Sequence, residues 1–151
     1  NQEDDVLDIF TGKTWKLTGI FHDKGSNPSL CTDYWNSDAE KEASDELFKE
    51  KDNFTITFIG AEIDGKVVGT YGGRASRNSI SGDWSANGDN NSFGVSKQDS
   101  PKSNEDILGK AFVNGLINAY KYDGDTNGNL RIYFEDTERN DKRFLLFGLA
   151  R

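Results

Sequence analysis

The chain has 151 residues, with 26 Asp and Glu against 18 Lys and Arg, and a formal net charge of −8. That balance argues against nucleic acid and anionic membrane surfaces as partners, because both select a basic footprint and the Lys and Arg here are scattered. One cysteine, Cys31, excludes an intramolecular disulfide and a cysteine-based zinc site. The length suits one domain. With 34% hydrophobic residues but 12% aromatic ones, a few large rings must supply much of the core.

Residues 1–10 open on an acidic run and are expected to form a flexible tether, followed by a single β-rich domain over residues 11–151. The sequence contains no methionine, from which a processed chain is expected, the mature form of an exported protein. Residues 14–21 alternate, with Trp15, Leu17, Gly19 and Phe21 on one face, and predict a first strand that starts after the breaker Gly12. A long polar loop follows and carries His22, Cys31, Tyr34 and Trp35. Ser37 with Glu40 three residues on is a helix-start pattern. Ala39, Ala43 and Leu47 then mark a thin apolar stripe, which predicts a short surface helix to about residue 50 over one mouth of the sheet structure.

Phe54, Ile56 and Phe58 alternate with threonines in a strand, and short strands follow over residues 66–71, 78–86 and 91–96. Turn signals separate them at residues 60–65, at Gly72-Gly73 and at Asn87-Gly88-Asp89, and such short spacing means antiparallel neighbours. Gly69, Gly82 and Gly94 inside these strands suggest the bends or bulges with which a small barrel closes.

The strongest pattern lies downstream. Ser103 with Asp106 is a second helix start, just after Pro101, and Ile107, Leu108, Phe112, Gly115, Leu116 and Ala119 form one buried helical stripe. The period then changes to two: Tyr120 and Tyr122 lead into a turn-rich segment, and Leu130, Ile132 and Phe134 leave it on one face. Residues 144–149, apolar on both faces, predict a buried closing strand. The expected fold is mainly β: about eight antiparallel strands curled into a small barrel, one packed amphipathic helix and one short surface helix.

These residues resemble a known family. The opening Thr11-Gly-Lys-Thr-Trp-Lys-Leu, the stretch from Gly65 to Phe93 and above all residues 106–134 are similar to the META domain of bacterial envelope lipoproteins related to the heat-shock protein HslJ. More specifically, the chain resembles uncharacterised META- or lipocalin-like lipoproteins of gut Bacteroidetes. The Gly-Cys-Asn turn usual in META domains is Gly72-Gly73-Arg74 here, and the lipocalin Gly-x-Trp entry is not met by Gly12 and Trp15. The resemblance implies export to the cell envelope, at the outer membrane, through a lipid anchor on an upstream cysteine. It brings no catalytic residues and no cofactor, so the expectation is a non-enzymatic domain that binds an unknown envelope protein or small ligand. The alternative is a lipocalin-like carrier of a small apolar or anionic ligand.

Three candidate sites stand on the residues themselves. Tyr34, Trp35, Tyr71, Arg74, Arg77 and Trp84 could line a barrel mouth as a ligand site. Asp123, Asp125 and Asn127 match the first half of an EF-hand calcium loop, but its twelfth position is Phe134 and Glu135 falls one place late. The expectation there is a connector, not a metal site. His22 with Asp23 and Cys31 nearby suggests a Cys-His pair, weighed against a solvated loop histidine and set aside for want of a rigid framework.

Overall fold

The computed structural model describes residues 2–99 and 104–151. Its elements run α1 (Gln2–Phe10), β1 (Thr14–His22), β2 (Ser29–Leu30), α2 (Asp38–Lys49), β3 (Thr55–Ile63), β4 (Lys66–Arg74), β5 (Ser79–Asn87) and β6 (Ser92–Gln98). They continue as α3 (Ile107–Ile117), β7 (Ala119–Gly124), β8 (Leu130–Asp136) and β9 (Asp141–Leu149). All strand pairings are antiparallel, in the order β2-β1-β3-β4-β5-β6-β7-β8-β9. Pairing of β9 back onto β1, over seven residue pairs from Trp15↔Leu149 to His22↔Arg143, closes an eight-stranded barrel with β2 as an extra strand. The fold is therefore mainly β, as the alternating pattern predicts.

The weakest seam lies between β6 and β7, joined at the single pair Ser92↔Lys121. The chain leaves the barrel there to build α3, and the helix stripe closes that end. Leu108, Phe112 and Leu116 are buried, and the Phe112 ring lies 5.8 Å from Phe54 and 6.1 Å from Phe147. Helix α3 begins at Asp106, whose carboxylate accepts from the Leu108 N–H at 3.0 Å and so satisfies an otherwise orphan helical donor. The expected start signals Pro101 and Ser103 lie outside the described residues. Phe54, just ahead of β3, has a φ of 56°, a left-handed conformation that a bulky side chain adopts only when its surroundings enforce it.

Four expectations need correction. The supposed tether is helix α1, and Val6, Ile9 and Phe10 are buried. The Phe10 ring sits 4.9–5.5 Å from Phe58, Trp84, Phe93 and Tyr122, plugging the barrel end opposite α3. The Val6, Ile9, Phe10 spacing is the i, i+3, i+4 signal, overshadowed by the acids around it. Second, Gly72-Gly73 is not a turn but the far half of β4, paired with Thr57 and Ile56 on one side and Ser81 and Ile80 on the other. A Cβ at Gly73 would strike the Thr55 carbonyl, so this glycine serves close strand approach. Third, α2 buries Ser44 and half-buries Leu47 and Phe48, leaving Ala39 and Ala43 exposed, because large side chains set the face. Its Ser37 cap is as predicted, accepting from Glu40 N at 3.2 Å. Fourth, the described residues hold three helices, not two.

Candidate functional site

Side chains fill the barrel. Trp15, Leu17, Ile56, Phe58, Trp84, Leu130, Ile132 and Leu145 are all at most 1% exposed. Trp84 N–H donates to the Ile59 carbonyl at 3.0 Å, and the Tyr71 hydroxyl meets Gln98. Gly82 keeps its place because a Cβ there would collide with Tyr71 and the Lys97 carbonyl, beside the register shift between Asp83 and Trp84. Tyr71 and Trp84 are thus core residues, not mouth residues.

The polar chemistry gathers at the end covered by α2 and α3. The organising group is Arg143 of β9, only 1% exposed. Its Nη1 donates to Asp33 Oδ1 at 2.9 Å, its Nη2 to Asp33 Oδ2, and its Nε to Asp141 Oδ2 at 2.9 Å, with Asp136 at 3.6 Å. This two-point contact ties the loop between β2 and α2 to the barrel wall, a geometry that guanidinium supplies and ammonium does not. Tyr34, next in the chain, has its ring 4.8 Å from the Arg139 guanidinium and 5.1 Å from that of Arg143. Its hydroxyl is buried and has no well-formed hydrogen bond within the protein.

The electrostatics follow from these contacts. The hydrogen bond from Arg143 holds the Asp33 carboxyl below the usual range. Burial opposes ionisation of Asp141, yet hydrogen bonds from His22, 2.6 Å away, and from Arg143 still hold its pKa low. Burial pushes the Tyr34 phenol and the Cys31 thiol each up to about 12. Cys31 is therefore a protonated, buried thiol at neutral pH. His22 is no solvated loop residue, since it ends β1 half-buried against Asp141. Among the described residues no hydrogen bond joins His22 to Cys31.

Between α3 and the β8–β9 turn lies an open cleft of about 260 Å³, lined among others by Tyr34, Lys110, Asn114, Asn118, Thr137 and Arg139. A narrower groove of about 110 Å³ runs between β1 and α2, and Tyr34 and Trp35 border it. Trp35 N–H donates to Ser44 Oγ at 2.8 Å, and the Ser44 hydroxyl in turn donates to the capping Asp106 at 2.8 Å, so the aromatic loop is wired to the start of α3. Arg74 and Arg77 sit apart, on a shallow open cleft that also includes Lys51 and Asp52, with Arg74 donating to Asn53 at 3.0 Å. Near them the buried Glu105 accepts from the backbone N–H groups of Ser76 and Arg77 and from Asn78. Burial resists its charge, but these donors and the Ser76 hydroxyl keep its pKa low.

The six residues expected to share one mouth thus divide in three: Tyr34 with Trp35, Arg74 with Arg77, and the core pair Tyr71 and Trp84. In the loop of Asp123, Asp125 and Asn127, the Asp125 carboxylate is turned onto its own loop. It accepts from the Asn127 N–H at 2.8 Å and from the Asn129 side chain at 3.0 Å. Sequence reasoning missed Arg143, Asp33, Asp136, Arg139 and Lys110. The only hint was a buried-strand pattern that begins directly on an arginine.

A scan against family models matches residues 1–148 to one described as a domain of unknown function, DUF4847. The chain belongs to that family. A crystal structure of a DUF4847 family protein from Bacteroides vulgatus superposes with a TM-score of 0.66 over 95% of this chain and 96% of the other, at 22% identity. That likeness concerns the fold. No curated protein matches the chain. No helix among the described residues is long and apolar enough to cross a membrane, which leaves strands out of account.

Proposed function

We propose that this DUF4847 domain is a non-catalytic binding module of the bacterial cell envelope, held by an upstream lipid anchor at the outer membrane. Its ligand or partner engages the cleft between α3 and the β8–β9 turn. The observation that carries the reading is the contrast between a filled barrel and a rim cleft beside which the Tyr34 hydroxyl is buried next to the Arg143 guanidinium with no well-formed hydrogen bond. A hollow barrel carries its ligand inside, whereas a packed one must bind at its ends. The envelope assignment draws on the resemblance to META- and HslJ-like lipoproteins.

The cleft mixes charges: Lys110, Arg139, the amides of Asn114 and Asn118 and the Thr137 hydroxyl share it with Glu135, Asp136 and Glu138, and Arg139 already lies 3.2 Å from Asp136 and 3.9 Å from Glu138. Lys110, which makes no ion pair among the described residues, is the cation there that a small carboxylate could reach. The test is a 1H–15N NMR titration with acetate, succinate and phenylacetate. Shifts should cluster at Asn114, Asn118, Thr137 and Arg139 and weaken in Tyr34→Phe. Shifts centred instead on the Trp84 indole would favour carriage inside the barrel and overturn the cleft. For the anchor, the full gene sequence decides, and an upstream region lacking a lipobox cysteine would remove that part of the reading.

A further inference from the structure

Strand β3 runs on past its pairing with β1: it stays paired with β4 as far as Ile63↔Lys66, whereas β1 meets it only from Thr55 to Thr57. On its outer face Ile59 is 69% and Ile63 56% exposed, with exposed Ala61 between them. The backbone parity of β3 follows from its pairing with β1, where Leu17 N–H donates to the Phe54 carbonyl at 2.9 Å in the register Trp15↔Ile56. Hydrogen-bonded pairs alternate along an antiparallel ladder. Even-numbered residues of β3 therefore aim their N–H and C=O groups at the β1 side. Phe58 is met there by Thr11. No described residue pairs with Gly60 or Glu62 on that side, since β1 matches β3 only from Thr55 to Thr57. An open edge beside an apolar stripe, with no proline on it and Glu62 as its one charge, is an arrangement that soluble proteins seldom leave unpaired.

We propose that the occupant is the same edge of a second copy of this chain, paired antiparallel about a two-fold axis through Ala61. The choice of partner and register rests on self-complementarity. Centring the axis on Gly60 would use one hydrogen-bonded pair and bring the occupied Phe58 into the next. Centring it on Glu62 would set two carboxylates directly opposite, which is unfavourable. Centring it on Ala61 places Gly60 opposite Glu62 twice, forming about four hydrogen bonds from the free backbone groups. It also lays Ile59 of each copy across from Ile63 of the other, so that every exposed apolar side chain of the stripe gains an apolar neighbour. The contact is isologous and closed, and it continues the sheet of one barrel into the next. Its small size makes it a weak, concentration-dependent dimer.

Sedimentation velocity over roughly 5 to 500 µM, a range that brackets the affinity of a small interface, should show a rising dimer fraction. The doubly substituted Ile59→Lys, Ile63→Lys chain should stay monomeric with an unchanged circular dichroism spectrum, since both side chains face solvent in the monomer. Ala61→Cys tests the register. At a non-hydrogen-bonded pair on the axis the two Cα atoms lie about 4.5 Å apart, close enough for a disulfide. Native Cys31, 2% exposed, does not compete. Mild oxidation should link Ala61→Cys at least tenfold faster than Asp89→Cys on a remote turn. A wild-type chain monomeric throughout, a dimer that survives the lysine pair, or equal crosslinking at the two positions would each overturn the proposal. So would an edge that binds extended peptides but never its own copy.

Discussion

Truncation of Phe112 to alanine probes whether α3 truly closes the barrel. The side chain is 0% exposed and its ring lies 5.8 Å from Phe54 and 6.1 Å from Phe147, so it is the contact between helix and wall. Little can collapse into the space it would leave. Phe54 is fixed by its left-handed backbone at φ 56°, and Gly115 one turn on is already tight against Leu145. A buried Phe→Ala change at a site that cannot relax costs about 3–5 kcal/mol, the transfer of the ring plus the cavity it leaves. For a chain of this size each kcal/mol lowers Tm by roughly 2–4 °C, so the expected fall is about 6–20 °C. Urea melts at equal m-value give the free energy directly. Ile117, at 48% exposure on the same helix, is the matched control, and its alanine variant should lie within about 1 kcal/mol of wild type. A loss below about 1 kcal/mol at Phe112 would mean that the helix stripe does not form core, and the account of the fold would fall with it.

Asp33, Asp141 and Glu105 have depressed pKa values in the fold. Their stabilisation is complete above the unfolded carboxylate range near 4 and is lost as pH falls through the lower folded values, so urea midpoints should drop below about pH 4 and less steeply in Asp33→Asn. Removing the buried cation by Arg143→Met should cost about 3 kcal/mol, because the carboxylates around it lose their partner while only partly regaining water. Cys31, buried with its pKa near 12, should react with a thiol reagent such as DTNB only at the rate of global unfolding, and rapid labelling of the native chain would contradict its burial. Calorimetric titration should find no calcium binding tighter than millimolar, since the Asp125 oxygens are taken by the loop's own N–H groups. A micromolar constant abolished by Asp125→Ala would make the hairpin a metal site.

The β architecture was readable because period-two alternation and turn residues are local signals. The α3 stripe as far as Leu116 and the β8 face Leu130, Ile132, Phe134 fall where spacing puts them, although Ala119, expected in the stripe, already opens β7; all six of Phe112, Leu116, Leu130, Ile132, Phe134 and Leu145 are at most 2% exposed. Gly72-Gly73 misled for a physical reason. A glycine pair breaks a strand when the chain must turn, but it also lets strands approach closely, and sequence alone does not separate the two uses. Helix α1 was hidden because a short amphipathic helix gains little from propensity and depends on a tertiary partner for its apolar side. That partner is the ring cluster around Phe10, assembled from four strands far apart in sequence.

The candidate site was harder to read for the same reason in stronger form. Arg143 and Asp33 are 110 positions apart, and His22 and Asp141 are 119 apart, so no window of the sequence contains either pair. Aromatic residues drew attention to Tyr34, Trp35, Tyr71 and Trp84 together, yet their fates differ with their strand positions. Tyr71 and Trp84 point inward from β4 and β5 and complete the core, which is what makes the barrel solid. Tyr34 lies on a loop that the Asp33–Arg143 contact, with the Cys31 N–H bond to Ile20 and the Trp35 bond to Ser44, draws onto the barrel rim. The packed interior and the rim cleft are therefore two results of one assembly. Because rings fill the barrel, its polar side chains gather at the rim. Because Arg143 anchors the loop there, the Tyr34 phenol is held buried between two guanidinium groups beside that cleft.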